Sequence, residues 1–265
     1  MVDFENKPRY NVNDLQRLIN LLRGPGGCPW DSEQTHDSIR RNLIEEAYEA
    51  AEAIDDGNMD NLREELGDVL MQVLFHADIA EKNKCFDLDD ISDATCRKLI
   101  RRHPHVFGDV KADNGAQSLV FWEEMKRKEK HQALTSEAMS SVAKSLPALW
   151  RAEKIQEKAA RAGFDWPDYK GALEALQMEL RELESAIAAG GNIEEELGDL
   201  FFSTVNVARF FDVDPENALI KSCDKFVRRF SWVENAAHDL DRQLSDMTLD
   251  EMDELYKESK IQLAD

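Results

Sequence analysis

The sequence is poor in the residues that break helices, form disulphides or build thiolate metal sites. It has 12 glycines, 7 prolines and 4 cysteines in 265 residues. No stretch alternates apolar and polar residues as a half-buried strand does. The cysteines form no CxxC pair, which argues against a zinc site and is typical of reduced thiols in a cytosolic protein. These absences predict an all-α, thiol-containing protein.

Positive charge and long apolar runs are also scarce. The chain has 33 Lys and Arg against 54 Asp and Glu, a formal net charge of −21, so it lacks the basic stripe that nucleic-acid binding requires. The N-terminus has no apolar signal segment, and stretches such as Val69–Phe75 are far shorter than the ~20 residues of a membrane span. We therefore expect a cytoplasmic protein without nucleic-acid or membrane partners. A polyphosphate can bind so acidic a surface only where divalent cations invert the local charge.

Apolar residues at spacings of three and four predict helices along most of the chain. Residues 28–31 are predicted as a compact loop, and the polar, aperiodic stretch 108–116 as a linker. We predict domains at 1–110 and 136–265, joined by a linker and bridging helix at 111–135. The predicted helices cover 13–23, 35–56, about 60–82, 87–102, 117–131, 138–162, 168–189, 192–211, 215–238 and 249–262.

One short segment is repeated. Glu64–Asp68 (EELGD) recurs as Glu195–Asp199, at an offset of 131 residues, about half of the chain. Each copy follows an acidic helix and precedes a basic one. The repeat predicts two copies of one helical unit.

The repeated segment places carboxylates on facing helices. Residues three or four apart share a helix face, so Glu46 neighbours Glu49, and Glu65 neighbours Asp68. A turn at Asn58–Asn61 would fold the second helix back against the first. Converging carboxylates repel each other unless a cation lies among them, and oxygen ligands alone favour Mg²⁺ or Mn²⁺.

Such a site is suited to metal-assisted hydrolysis of a phosphoanhydride, in which the metal neutralises phosphate charge and generates or orients the attacking water. The alternative for any single acidic motif is a solvated helix face. Duplication of the pattern, and the apolar residues interleaved with the acids, favour the site.

Other chemistries find less support. There is no GxxxxGK[ST] phosphate loop, and the di-iron pattern needs two Glu-x-x-His pairs whereas only Glu33–His36 matches. His76, His131 and His238 stand apart, and we expect them to be structural or solvated. The tryptophans are predicted core anchors, with one of them a candidate to stack on a base: Trp30, Trp122, Trp150, Trp166 and Trp232.

A set of motifs runs through both halves of the chain in order. The first half contains Cys28-Pro29-Trp30-Asp31, Glu45-Glu46-x-x-Glu49, Glu65-x-x-Asp68 and Arg102–Gly108. The second half contains Ala162–Trp166 (AGFDW), Glu195-Glu196-Leu-Gly-Asp199 and Lys225-Phe226-x-x-Arg229-Phe230. Together they resemble the MazG family of nucleoside triphosphate pyrophosphohydrolases.

The resemblance implies a tandem of two MazG-like units, each with a four-helix-bundle-type core within a homodimer. It implies Mg²⁺-dependent hydrolysis of NTPs and dNTPs at the α-phosphorus, giving nucleoside monophosphate and pyrophosphate, in house-cleaning or control of the nucleotide pool. The C-terminal copy is favoured slightly for catalysis. The implied catalytic and metal-binding residues are Glu179, Glu182, Glu196 and Asp199 in that copy, and Glu46, Glu49, Glu65 and Asp68 in the N-terminal copy.

The resemblance also implies groups that bind the nucleotide. Lys225 and Arg229 would bind phosphate oxygens, with Tyr256 near the base and Lys260 beside it; the N-terminal copy offers Lys98, Arg101 and Arg102. The chain departs from the family at Met178, where a glutamate is usual and Glu184 or Glu195 could substitute. It departs again at Tyr256, which is often tryptophan.

Two other functions remain open. The charge of −21 also fits a non-catalytic acidic helical dimer that binds a basic partner protein. A house-cleaning enzyme confined to one nucleotide, such as dUTP or phosphoribosyl-ATP, is the third possibility, and a substrate panel separates it from the first.

Overall fold

The computed structural model describes residues 4–129 and 133–263, except for the side chain of Ala116. Every regular element in these residues is helical, which confirms the predicted all-α class. No helix in these ranges is long and apolar enough to cross a lipid bilayer. The helices are α1 (Val12–Leu22), α2 (Pro29–Glu33), α3 (Arg40–Asp55), α4 (Met59–Lys82), α5 (Leu88–Arg102), α6 (Pro104–Phe107), α7 (Gly115–Glu129), α8 (Thr135–Ser140), α9 (Ala148–Arg161), α10 (Tyr169–Ala189), α11 (Ile193–Phe210), α12 (Pro215–Asp239) and α13 (Leu249–Gln262), with a 3₁₀ turn at Leu244–Asp246.

The chain divides into two compact units, Met1–Lys126 and Arg127–Asp265. The division falls within α7, inside the stretch predicted as linker and bridging helix. The end of that predicted helix, including His131, lies outside the described residues. The domain limits at 110 and 136 stay predictions.

Each unit is built around a helix hairpin, α3–α4 in the first unit and α10–α11 in the second. The two turns share one local chemistry. Gly57 and Gly190 follow the first helix with φ of 65° and 69°, a left-handed conformation that glycine adopts without a Cβ clash. Asn58 and Asn192 then cap the second helix, each accepting from a backbone N–H three residues on. The short turns make the paired helices antiparallel.

A third helix packs on the second helix of each hairpin: α1 on α4, and α9 on α11. In the first unit this contact is filled by apolar side chains, which form one buried cluster consisting of Ile19, Ile39, Leu74, Phe75 and Ile79. Burial of that cluster is the main stabilising contribution in this part of the unit.

A charged pair ties the same elements together in each unit. At the end of α1, Arg23 Nε donates to Asp78 Oδ2 at 2.6 Å, and both side chains are 4% exposed. In the second unit Asp165, just after α9, accepts from Arg209 Nη1 at 2.9 Å, with the side chains 25% and 16% exposed. The acid and the base have therefore exchanged places between the units.

Some predicted helix limits were wrong. The helix predicted at 138–162 is interrupted between α8 and α9, because Pro147 has no N–H and disfavours a helical residue before it. Residues 28–31 are not all loop, since Pro29 begins the short α2. Helix α3 begins at Arg40 rather than 35, after a turn in which the Thr35 N–H donates to Ser38 Oγ at 2.9 Å.

Candidate functional site

The first hairpin brings predicted carboxylates together. Oxygens of Glu46 and Glu49 on α3 and of Glu65 on α4 lie within 4.8 Å of one another. Asp68 lies one turn beyond Glu65 and raises the pKa of Glu46 by its charge. Glu45 is held away from this group, because it accepts from Arg41 Nε at 2.7 Å.

The second hairpin repeats the arrangement. Oxygens of Glu179 on α10 and of Glu196 and Asp199 on α11 lie within 4.8 Å of one another. Glu182 is close enough for its charge to raise the pKa of both Glu179 and Glu196. Of the two replacements considered for the glutamate absent at Met178, Glu184 is exposed, and Glu195 accepts from Asn192 Nδ2 at 2.9 Å in the turn.

The pKa values show how these clusters are strained. Desolvation, and then the charges of neighbouring carboxylates, raise the pKa of Glu46 and Glu65 in the first unit and of Glu179 and Glu196 in the second. In the first unit a hydrogen bond from the buried Gln72 side chain partly opposes the rise at Glu46. Sequence reasoning missed Gln72, although it lies one helical turn after Asp68.

Both clusters fit a hard divalent cation. Their donors are carboxylate oxygens, part exposed and part half-buried, on two helices whose backbone is already fixed. Oxygen-only sets of this kind suit Mg²⁺ or Mn²⁺ better than zinc. A bound cation would relieve the repulsion that raises the four pKa values.

The predicted phosphate-binding residues of the second unit separate into two groups. Lys225 is exposed on α12 and lines a surface hollow with Lys221 and Arg228. Arg229 instead lies over the Tyr256 ring, 6.0 Å from its centroid. Lys221 and Arg228, four residues before and three after Lys225, were missed by the motif but share its helix face.

The ring of Tyr256 is already surrounded. Lys260 Nζ lies 5.3 Å from its centroid, and the Phe226 ring lies 5.8 Å away. With Arg229 as well, three side chains are within reach of this ring. A role in stacking on a base stays a prediction.

The basic residues predicted in the first unit lie near the end of α5. Lys98 is half-buried and Arg101 exposed. Arg102 stacks its guanidinium over the Trp122 ring at 5.0 Å from the centroid. That cation–π contact engages one of the three predicted phosphate ligands with an aromatic of the same unit.

The prediction that His76 stands apart was wrong. Its ring stacks on that of His36 with centroids 5.0 Å apart, and the two Nδ1 atoms are 2.7 Å apart. Burial, and then the neighbouring His36, lower the pKa of His76. The pairing joins residues 40 apart in sequence, so no local spacing predicts it.

A comparison with known sequence families identifies both hairpins. The MazG nucleotide pyrophosphohydrolase domain matches residues 34–107 and again 168–233, more than half of the chain. Each match contains one hairpin with its carboxylates. The two matches also agree with the repeat at an offset of 131 residues.

Relatives match over nearly the full chain. The "Nucleoside triphosphate pyrophosphohydrolase/pyrophosphatase MazG" of Thermotoga maritima is 44% identical over 93% of this chain and 94% of its own. The "Nucleoside triphosphate pyrophosphohydrolase" of Escherichia coli is 40% identical over 96% of this chain and all of its own. An uncharacterized protein of Bacillus subtilis, YabN, is 45% identical over 95% of this chain but only 52% of its own length.

Proposed function

This chain belongs to the MazG nucleotide pyrophosphohydrolase family, and we propose that it hydrolyses nucleoside triphosphates and their deoxy forms to nucleoside monophosphate and pyrophosphate. The observation that carries the proposal is the carboxylate cluster on a helix hairpin, present in both regions that match the family. Two relatives that bear this activity in their names match over most of their length.

Mg²⁺ is the cation we propose, with Mn²⁺ as a substitute of the same ligand preference. In the second unit it would be held by Glu179, Glu182, Glu196 and Asp199. Such a cation neutralises phosphate charge and makes water a better nucleophile.

The chain's own groups would direct the reaction. Water attacks the α-phosphorus, the bond from this phosphorus to the oxygen bridging to the β-phosphorus breaks, and pyrophosphate leaves. The raised pKa values of Glu179 and Glu196 suit either carboxylate to take the proton from the water. Lys225, with Lys221 and Arg228, offers positive charge to the phosphates.

We place turnover mainly in the second unit. Its phosphate-binding candidate Lys225 is exposed in a hollow with two further cations. In the first unit Arg102 is engaged by Trp122. The first unit then contributes structure, or binding without efficient turnover.

We also propose a homodimer. Large apolar side chains are exposed on the second hairpin, among them Met178 at 55%, Leu180 at 47%, Leu197 at 37% and Phe201 at 58%. Covering such residues with a second copy would remove apolar area from water. Light scattering coupled to gel filtration should give twice the chain mass, and Phe201→Asp should shift the population towards the monomer.

A cytoplasmic location in nucleotide-pool control is consistent with this activity. The thiols of Cys28, Cys85, Cys96 and Cys223 are all free. Free thiols persist in the reducing cytosol.

The test is a product assay on the purified chain with Mg²⁺ and each of the eight common NTPs and dNTPs. We expect pyrophosphate and nucleoside monophosphate in equal amounts, and no reaction with EDTA. Release of orthophosphate would contradict attack at the α-phosphorus. If one nucleotide alone reacts, the enzyme is confined to a single substrate; if none reacts, binding of a basic partner protein becomes the better account of the acidic surface.

A further inference from the structure

A cavity of about 360 Å³ lies in the second unit, between α9, the loop that follows it and α11. No predicted site residue other than the candidate tryptophan lines it. Three aromatic and three polar side chains form much of the wall: Phe164, Trp166, Phe202, Gln156, Asn206 and Arg209.

Two buried polar atoms in this wall have no protein partner. Gln156 is 6% exposed, and its Nε2 donates to the Phe202 carbonyl at 2.8 Å. Its Oε1 finds no hydrogen-bond partner among the described residues, and neither does Nε of Arg209. Buried polar atoms are costly when left unpaired, so one acceptor and one donor at this cavity point to a ligand with complementary groups.

The cavity lies along the hairpin that carries the carboxylates. Asp199, Phe202 and Asn206 follow at spacings of three and four on one face of α11, so the cavity lies about 10 Å along the helix from Asp199. On α10, the indole of Trp166 packs on Gly171 so closely that a Cβ there would be 2.7 Å from the ring. The helices that hold the acids therefore also position the aromatic wall.

The first unit shows that the repeated fold does not require this cavity. At the same offset of 131 residues, Phe75 takes the place of Asn206, and Asp78 that of Arg209. Phe75 is 8% exposed within the apolar cluster, and Asp78 is 5% exposed and paired with Arg23. A packed interior in one copy and a lined cavity in the other indicate a ligand-binding function in the second.

We infer that this cavity receives the nucleobase of the substrate whose phosphates bind at the α10–α11 carboxylates, an inference that rests on the proposed function. Aromatic walls suit stacking on a flat base. A base offers an N–H to Gln156 Oε1, and a ring nitrogen or carbonyl oxygen to the Arg209 Nε–H. Tyr256 is the weaker candidate, since three side chains already surround its ring.

Substitution of the aromatic wall tests the inference. Trp166→Ala should raise KM for NTPs about 10-fold or more, the effect of losing one base–aromatic contact, and change kcat less than about twofold. The inhibition constant of pyrophosphate, which has no base, should not change. Trp30→Ala is the matched control, because Trp30 is an exposed tryptophan (60%) near the start of the first hairpin, and its KM should stay at the wild-type value.

The polar wall has its own test. Gln156→Met keeps the length of the side chain and removes its acceptor. We expect it to change the ratios of kcat/KM among the four bases by about 10-fold, because each base then loses a different contact. Equal effects on all four bases and on pyrophosphate inhibition would indicate a structural role and contradict base recognition.

Binding separates this inference from the proposed function. Calorimetric titration of the full chain with AMP, GMP, CMP and UMP should show binding that Trp166→Ala weakens about 10-fold, whether or not any NTP is hydrolysed. If the chain hydrolyses NTPs and Trp166→Ala leaves KM unchanged, the inference is wrong and the proposed function stands. If nucleotide binding falls while KM does not, the cavity binds a second nucleotide rather than the substrate, which also overturns the inference.

Discussion

The two hairpins carry matching carboxylates but have different interiors behind them. In the first unit α1 covers α4 with a filled apolar cluster around Phe75. In the second, α9 and α11 enclose a cavity with unpaired polar atoms. Duplication has preserved the surface that can hold a cation, whereas the interior has diverged towards packing in one copy and towards binding in the other.

The immediate surroundings of the acids differ as well. In the first unit the Gln72 amide hydrogen-bonds Glu46, while the corresponding residue of the second unit is Ser203. The first cluster thus has a protein donor that eases its repulsion. The second depends more on a bound cation, as a catalytic site would.

The largest expected difference concerns packing. Phe75→Ala should cost the first unit about 3–5 kcal/mol, because it leaves a cavity in a buried cluster. Phe202→Ala should cost the second unit about 1 kcal/mol or less, because that ring is 42% exposed. Urea unfolding combined with hydrogen exchange over α4 and α11 measures both, and equal costs would remove the contrast between the interiors.

Breaking the charged pairs should come next. Asp78→Asn leaves the Arg23 charge buried without its carboxylate and should cost about 3 kcal/mol, whereas the more exposed Asp165→Asn should cost about 1 kcal/mol. The Arg209 hydrogen bond lowers the pKa of Asp165, so the stabilisation is present above the ordinary aspartate pKa and is lost as pH falls through the lowered value. Urea unfolding at neutral and at acidic pH tests both statements. A larger effect at Asp165 would show that exposure does not govern the pairs.

Catalysis should depend on one cluster. Glu182→Ala should lower kcat for NTP hydrolysis about 100-fold or more, because a cation ligand is lost where phosphate charge must be neutralised. Glu49→Ala, the matching change in the first unit, should lower it less than about threefold. Pyrophosphate release at saturating Mg²⁺ measures both, and the reverse order would assign turnover to the first unit.

The smallest effect concerns metal-free stability. The raised pKa of Glu179 means that the folded protein holds this proton more tightly than the unfolded chain, so stability falls as pH rises above the ordinary glutamate pKa. In EDTA at neutral pH, Glu179→Gln should raise Tm by about 1–3 °C after allowance for solvent screening. Glu46→Gln should raise it less, because Gln72 already eases the repulsion there. Differential scanning calorimetry measures both, and Mg²⁺ should raise the wild-type Tm more than that of Glu179→Gln.

The sequence was sufficient to predict the helices, the repeat and the gathering of acids. Each depends on short-range rules: glycine and asparagine set the turn, and spacings of three and four place Glu46 beside Glu49 and Glu65 beside Asp68. The membership of the family follows from the same motifs. Their role as metal ligands stays a prediction.

The interiors could not be predicted in this way. Gln156 meets Phe202 across 46 residues, and Arg23 meets Asp78 across 55. Neither pair has a local spacing that marks it. Trp166 was predicted as a core anchor, yet it is 46% exposed, because its ring lies against Gly171 at the mouth of a cavity that composition does not reveal.

The exchanged acid and base also bear on how a tandem repeat folds without error. Two similar units on one chain can misassemble by docking a helix of one on the hairpin of the other. Here such docking would bring Arg23 against Arg209, or Asp165 against Asp78, because the two pairs have opposite sense. Like charges in a buried contact are strongly disfavoured, so each hairpin rejects the other unit's helix. The reversed pairs therefore act as a proofreading code for intramolecular assembly.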